Sequence, residues 1–407
     1  MNLKYYFNAF TLSLIGLGLM PYSASAVSLD FVQLLDNVIQ HQPEQQTTKG
    51  IAEVHSANQS LSDSWISGDV DLIVHHENDT LTDNNDYKNW EVGVEFPIWL
   101  PSQKNAQKQI TASYGQELSA QQTYLRWLAS SVLRKLVWSY QSAEIEVEAA
   151  HSALQKSKSL RHKVQQKVKA GESPRIDLLL ANKAVLKQQN ELIQKQSALT
   201  IAQYQFQKWT QTNQPPENIK ERPLAAIPLM QHPKIVKLLS ALQISQSSLQ
   251  KVKSFKQESP RIFVGAKNDK DKNTEDTALM FEVSIPLGVN PTFSPKVAEQ
   301  KRNVYEQQAV LDTAKIQLEQ QIFQAQQNLA SAKQSILFSK KQYKISQQAL
   351  TMSETAYQLG ETNIQNLLLV QQDTAEAKLN YELAQARSGR AIADLNQISG
   401  HILGAEQ

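Results

Sequence analysis

The sequence predicts a mainly α-helical protein with a small β part, in which one set of elements occurs twice. Three observations carry this reading. Landmarks recur at a fixed offset, the stretch from Lys296 to Leu359 contains neither glycine nor proline, and four short segments alternate apolar with polar residues. Gly171-Glu172 is followed by Leu178-Leu179-Leu180, and the same pattern returns at Gly360-Glu361, followed by Leu367-Leu368-Leu369. Phe96-Pro97-Ile98 and Ile285-Pro286-Leu287 are separated by that same offset, and Gln42-Pro43 and His232-Pro233 agree with it to within one residue. A tandem repeat follows: residues 27–213 form the first copy and 229–400 the second. The Pro-rich stretch 214–228 (QPPENIKERPLAAIP) is a linker and 401–407 a tail.

The chain starts with the pattern of a secretory leader, residues 1–26. Lys4 is basic, Ala9 to Leu19 is an apolar run too short for a span of ~20 residues, and Ala24-Ser25-Ala26 offers a small-x-small cleavage site. No later stretch is apolar enough for a transmembrane helix. The absence of cysteine excludes thiol catalysis, disulfides and thiolate zinc sites, and leaves no residue for a lipid anchor on the mature N-terminus. With 41 Lys+Arg against 39 Asp+Glu, no electrostatic case for nucleic acid arises.

Each copy reads in the same order. A helix comes first, near Ala52–Ser64 and Ile235–Lys256. Short strands follow at Val70–His75 and Trp90–Ile98, and at Arg261–Lys267 and Leu279–Leu287. Trp90, Val92, Val94 and Phe96 share one face of their strand, as do Phe281, Val283 and Ile285, while Glu91, Glu95 and Glu282 take the other. A very long helix comes next. Leu311, Ala314, Leu318, Ile322, Ala325 and Leu329 make a 3/4 stripe in one copy, and Leu125, Leu128, Val132 and Leu136 in the other. At ~1.5 Å per residue the stretch from Lys296 to Leu359 spans roughly 96 Å. The glycines Gly171 and Gly360 then turn the chain into a second helix.

An apolar face backed by a polar one is the pattern of a transmembrane β-barrel strand. Lipid tolerates no open sheet edge, and single-chain barrels need at least ~8 strands. Four per chain therefore close only with several copies, and three copies give twelve. Trp65, Trp90, Phe96 and Trp99 sit near strand ends, where an aromatic girdle is expected.

The repeat, the FPI/IPL strand ends, the long Gln/Ala-rich helices and the stretch from Tyr357 to Leu369 together resemble the TolC family of outer-membrane efflux proteins, over essentially the whole mature chain. The resemblance implies a homotrimer with a coiled-coil helical barrel and a twelve-stranded barrel in outer-membrane lipid, extending into the periplasm. It implies a passive conduit without cofactor, docked by a periplasmic adaptor protein and driven by an inner-membrane pump. It places Gly171 and Gly360 at the periplasmic tip and joins Tyr357 to Asp177 in an inter-helix gate bond. Asp177 stands six residues after Gly171 where the family pattern has seven, and Asn363 to Leu369 lacks the carboxylates that line the entrance in many relatives. The cargo stays open between metal cations, small toxic compounds and a secreted polypeptide, with a lean toward the heavy-metal branch. The alternatives are a type I protein-secretion duct and a poreless periplasmic coiled-coil adaptor or scaffold.

Other constellations read as solvated surface. His75-His76-Glu77 carries ligand-type residues, but neighbouring strand residues face opposite ways. Glu144, Glu146 and Glu148 do not share a helix face. No Ser-His-Asp set, phosphate loop or HExxH motif is present, so the sequence points to no enzyme and no metal centre. The Lys-rich run from Lys156 to Lys169 is a solvated helix face near the tip and a candidate adaptor contact.

Overall fold

The computed structural model describes residues 31–81, 86–216, 220–288 and 290–404; the expected leader at 1–26 and the last residues of the tail lie outside the described residues. In chain order the elements are α1 (Phe31–His41), α2 (Glu44–Asp63), β1 (Asp71–Asn78), β2 (Lys88–Pro97), α3 (Pro101–Lys169) and α4 (Arg175–Thr210). A 3₁₀ turn (Leu229–Gln231) then leads into α5 (Pro233–Ser254), β3 (Arg261–Lys270), β4 (Glu275–Ser284), α6 (Phe293–Leu359) and α7 (Ile364–Ile398). The order helix, strand, strand, long helix, helix thus occurs twice. Helices α3 and α6, of 69 and 67 residues, are each roughly 100 Å long at ~1.5 Å per residue. Among the described residues no helix is long and apolar enough to cross a membrane.

The strands form one antiparallel sheet in the order β1-β2-β3-β4. Val74 pairs with Val92, Val92 with Ala266 and Ala266 with Leu279, so the apolar faces of all four strands coincide. Strand β4 ends at Ser284, short of the expected Leu287, which leaves Ile285 one residue beyond the ladder. The cause is the partner: β3 starts at Arg261, opposite Ser284, directly after Pro260, and Pro286 has no N–H to extend the pairing.

Below the sheet the helices form one layer. Helix α3 packs on α2, α4, α5 and α7, and α6 packs on α5 and α7. The pairs α3–α4 and α6–α7 meet chiefly through α3 and α7, which leaves α4 and α6 at the lateral edges, while α4 also touches α7 and Lys167 of α3 reaches the end of α6 at the tip. The seam residues Leu311, Ala314, Leu318 and Leu329 are buried, as the 3/4 stripe requires. Gln103, fully buried at the start of α3, joins the two halves. Its side chain accepts from the Leu100 N–H (3.0 Å) and the Ser259 hydroxyl (2.9 Å) and donates to the Gln257 carbonyl (2.9 Å).

The largest core lies at mid-height. Leu34, Leu35 and Val38 of α1, a helix the sequence reading missed, pack on Leu133, Val137 and Trp138 of α3 and Phe206 of α4. Gly389 of α7 faces the Trp138 ring so closely that any Cβ there would collide with it. Here the linker is strapped down. Arg134, buried in α3, donates twice to Glu221 (2.8 and 2.7 Å) and once to the His401 carbonyl (3.0 Å). Asn396 donates to Glu221 (3.0 Å) and accepts from the Leu224 N–H (2.9 Å). Polar groups buried with such complete partnering fix one arrangement of the chain.

His232 caps α5 beside this network. Its Nδ1 accepts from the Lys234 N–H (3.1 Å), so the proton sits on Nε2, which donates to the Ile398 carbonyl (3.2 Å). Burial lowers its pKa from the ordinary 6.5 to about 4, against the opposing pull of the Ile398 carbonyl. A depressed folded-state pKa gives stability that is present above the unfolded value and lost as pH falls through the window. The melting temperature should therefore decline between pH 6.5 and 4, and His232→Asn, a non-titrating N-cap, should flatten that decline. An unchanged pH profile in the variant would remove His232 as the cause.

Candidate functional site

Two regions carry the candidate site residues: the sheet and the far tip of the helices. On the sheet, Trp90, Val92 and Val94 of β2 and Phe281 and Val283 of β4 are exposed on one face with Leu72, Val74, Val264 and Leu279. Phe96 stands edge-on to Trp65 with ring centroids 5.0 Å apart. Ile285 is exposed beyond the strand end. The other face is polar. Arg261 pairs there with Asp71 and Glu95 across three strands, and Lys267 with Asp269 at 3.0 Å. His75 points to this polar face, whereas His76 lies on the apolar face, stacked on Trp90 at 4.0 Å. Among the described residues no group of three metal-ligand side chains comes together.

One large ring lies on the polar face. Phe263 is buried flat over Gly93 and Gly265, which oppose each other in the ladder. A Cβ on Gly265 would fall 2.7 Å from the Phe263 ring, and one on Gly93 would strike the ring as well. Glycine in the middle of two strands is otherwise unfavourable; here it makes room for an aromatic lid on the sheet. Gly93→Ala should lower the melting temperature of the purified protein by several degrees, and adding Phe263→Ala should restore part of the loss. A loss in Gly93→Ala that the second substitution does not reduce would show that the ring is not the obstacle.

At the tip, the two turns are copies of one another. Gly171 and Gly360 have φ of +80° and +79°, the left-handed region that glycine occupies without strain. Glu172 N–H donates to the Lys167 carbonyl and Glu361 N–H to the Ala356 carbonyl, both at 2.9 Å. These six-to-one bonds are helix-ending Schellman motifs. Tyr357, just before the second turn, is 9% exposed and packs with Leu160, Val164, Ala181, Ile364 and Leu367. Lys167 crosses from the first turn: its Nζ lies 4.9 Å from the Tyr357 ring centroid, 3.4 Å from the Tyr357 carbonyl and 3.5 Å from that of Gln358. A cation is favoured there by the unsatisfied carbonyls at a helix C-terminus.

Tyr357 and Asp177 are neighbours, but no hydrogen bond joins them. Asp177 accepts instead from the Ser173 hydroxyl at 2.5 Å, and the buried Tyr357 hydroxyl has no hydrogen-bond partner. Burial raises the phenol's pKa, the nearby Ser173 hydroxyl opposes this, and the Asp177 charge adds to it. Ser173 and Lys167 are the tip residues that sequence reasoning missed. Lys167 carried a signal, lying in the Lys-rich run that leads into the first Gly-Glu turn.

The lateral edges of the helix layer are apolar and unpartnered. On α6, Ile316, Phe323, Leu337, Ile345, Met352 and Leu359 are exposed, mostly seven residues apart. On α4, Leu179, Leu186 and Ile193 are exposed at the same spacing. Seven-residue apolar spacing is the seam pattern of a coiled coil.

No protein-family model matches the chain, and no curated protein does. Solved structures do. A membrane protein from Pseudomonas aeruginosa is 13% identical with a TM-score of 0.72, over 91% of this chain and 90% of that one. The CmeC outer membrane channel of Campylobacter jejuni is 11% identical with a TM-score of 0.71, over 91% of this chain and 85% of that one. The outer membrane protein VceC of Vibrio cholerae is 13% identical with a TM-score of 0.68, over 91% and 95%. Likeness at these identities defines the fold: the chain has the TolC-like fold of outer-membrane channels.

Proposed function

We propose that this protein is the outer-membrane channel of a tripartite efflux system, a homotrimer that conducts cargo from the periplasm to the outside without bond chemistry. The observation that carries the reading is the four-stranded sheet with one exposed apolar face and two open edge strands, β1 and β4. Such a sheet is stable in lipid only when its edges are closed. Three copies supply twelve strands, and the apolar stripes of α4 and α6 meet across the same boundary. The partners are outer-membrane lipid, a periplasmic adaptor protein and an inner-membrane pump. Metal ions or small toxic compounds are the proposed cargo, selected by pore lining and gate opening. The channel names of the structural relatives support this reading. Membrane fractionation and planar-bilayer recording test it. An SDS-resistant trimer in the outer membrane that conducts ions is expected, and a periplasmic monomer without conductance would overturn it.

The tip is the proposed gate, with Tyr357 and Asp177 as its residues. The Tyr357 ring fills the space between the two coiled coils, and the Ser173–Asp177 bond braces the first turn. Tyr357→Ala and Asp177→Ala should each raise single-channel conductance. Tyr357→Phe should leave it unchanged to within about twofold, because the hydroxyl it removes has no hydrogen-bond partner. Conductance unchanged in all three variants would place the gate elsewhere.

A further inference from the structure

The apolar face of the sheet finishes differently at its two ends. Next to the helices its last rung is Phe96, Ile262 and Val283, without a charge. Toward the hairpin ends the apolar band closes with the rung Val74, Val92, Ala266 and Leu279. The next rung on that face is His76, Trp90, Asn268 and Thr277, with His76 stacked on Trp90. One rung further stand Asn78, Lys88, Lys270 and Glu275. From Phe96 to Trp90 the face runs for roughly 20 Å at ~3.4 Å per residue, and the lysine rung lies about 7 Å beyond Trp90.

Lys88 and Lys270 are direct partners in the ladder, and like charges placed opposite one another destabilise a sheet. Glu275, on the other side of Lys270, accepts from its ammonium at 2.8 Å. One carboxylate thus serves two cations. Lys88 is exposed, and among the described residues no ion pair engages it. The nearby Asp271 is committed to its own turn, where it accepts from the Asn273 and Thr274 N–H groups, both at 2.8 Å. The arrangement calls for an anion held at one depth on this face, just past an apolar band that ends in a tryptophan. A lipid meets both conditions, with acyl chains for the band and a charged headgroup at the level where interfacial tryptophan gives way to water.

We infer that Lys88 and Lys270 bind the headgroup phosphate of an outer-leaflet lipid whose acyl chains lie along Val74, Val92, Ala266 and Leu279. The inference rests on the channel reading above, which puts this face in outer-membrane lipid and the hairpin ends outside. The phosphate relieves the repulsion between the two lysines, and Asn78 and Thr277 offer polar groups to the rest of the headgroup. Basic residues at a membrane surface attract anionic lipid through a screened field, so binding should weaken with salt. Because the cations stand at one end of the face only, the contact also fixes how deep the sheet sits in the bilayer.

The test uses the purified full-length protein in detergent micelles, titrated with diphosphoryl lipid A or with a neutral galactolipid and followed by microscale thermophoresis. Wild type should prefer lipid A. Lys88→Gln/Lys270→Gln should bind it roughly tenfold more weakly and the galactolipid as wild type does, while Lys88→Arg/Lys270→Arg, which keeps both charges, should retain lipid A. Inorganic phosphate should compete no better than chloride at the same ionic strength, since it has no chains for the band. Equal affinity of wild type and the glutamine variant for lipid A would overturn the inference, as would equal affinity of wild type for both lipids or displacement by inorganic phosphate. Bilayer conductance of the same preparations separates the two failures. A conducting wild type that ignores the phosphate loses the lipid site and keeps the channel, whereas a wild type that does not conduct loses the channel reading and the inference with it.

Discussion

A sheet edge presents a row of N–H and C=O groups, and each one left unpaired in hydrocarbon costs several kcal/mol. Strands β1 and β4 are such edges, and the face between them is lined by Leu72, Val92, Val264 and Phe281. On the proposed channel function, the remaining architecture follows from meeting that constraint with only four strands. The sheet order β1-β2-β3-β4 places each repeat's hairpin on its own side, and the helix layer keeps the same left-right order, with α4 on the first repeat's edge and α6 on the second's. On the proposed trimer, one rotation between copies closes the sheet and covers the apolar stripes of both edge helices together. Rings are the outcome when such a head-to-tail contact closes on itself.

Rigidity is unevenly distributed along the molecule. At mid-height, α1, the linker and the tail are bound to α3 and α7 by buried groups with their partners in place, centred on Arg134, Glu221 and Asn396. Removing one member of such a network leaves a buried charge unpaired. The tip, by contrast, holds a small core and an orphan hydroxyl on Tyr357. A buried polar atom without a partner is a local cost that another arrangement of the tip can relieve. On the proposed channel function, this division suits a duct whose middle keeps its diameter while its end moves.

Much of the fold was legible in the sequence because the signals were periodic. The glycine-free and proline-free run marked α6, the 3/4 stripe at Leu311, Ala314 and Leu318 marked its buried side, and alternation marked all four strands. Other features depended on partners far away in the chain. Where β4 stops is set by where β3 starts, so alternation alone carries Ile285 into a strand that ends before it. Helix α1 did show its spacing at Phe31, Leu34, Leu35 and Val38, but Gln42-Pro43 follows closely and the segment is short. The strap between Glu221 and Arg134 joins residues 87 apart and left no local trace. At the tip, the resemblance named Tyr357 and Asp177 and the structure makes them neighbours, yet the bond to Asp177 comes from Ser173.

The central claim is that β1 of one copy lies beside β4 of the next in a closed ring of three. The chain has no cysteine, so single pairs can be introduced without background: one at Leu72 or Val74 in β1, the other at Leu279, Phe281 or Val283 in β4. Within one chain these strands stand three strand spacings apart, roughly 14 Å at ~4.8 Å each, well beyond the ~7 Å limit for a disulfide. Any cross-link is therefore between copies. Oxidation in outer membranes should give linked dimers and trimers and nothing larger for at least one pair in register. Monomers alone from every pair, or a ladder that continues past the trimer, would contradict the account.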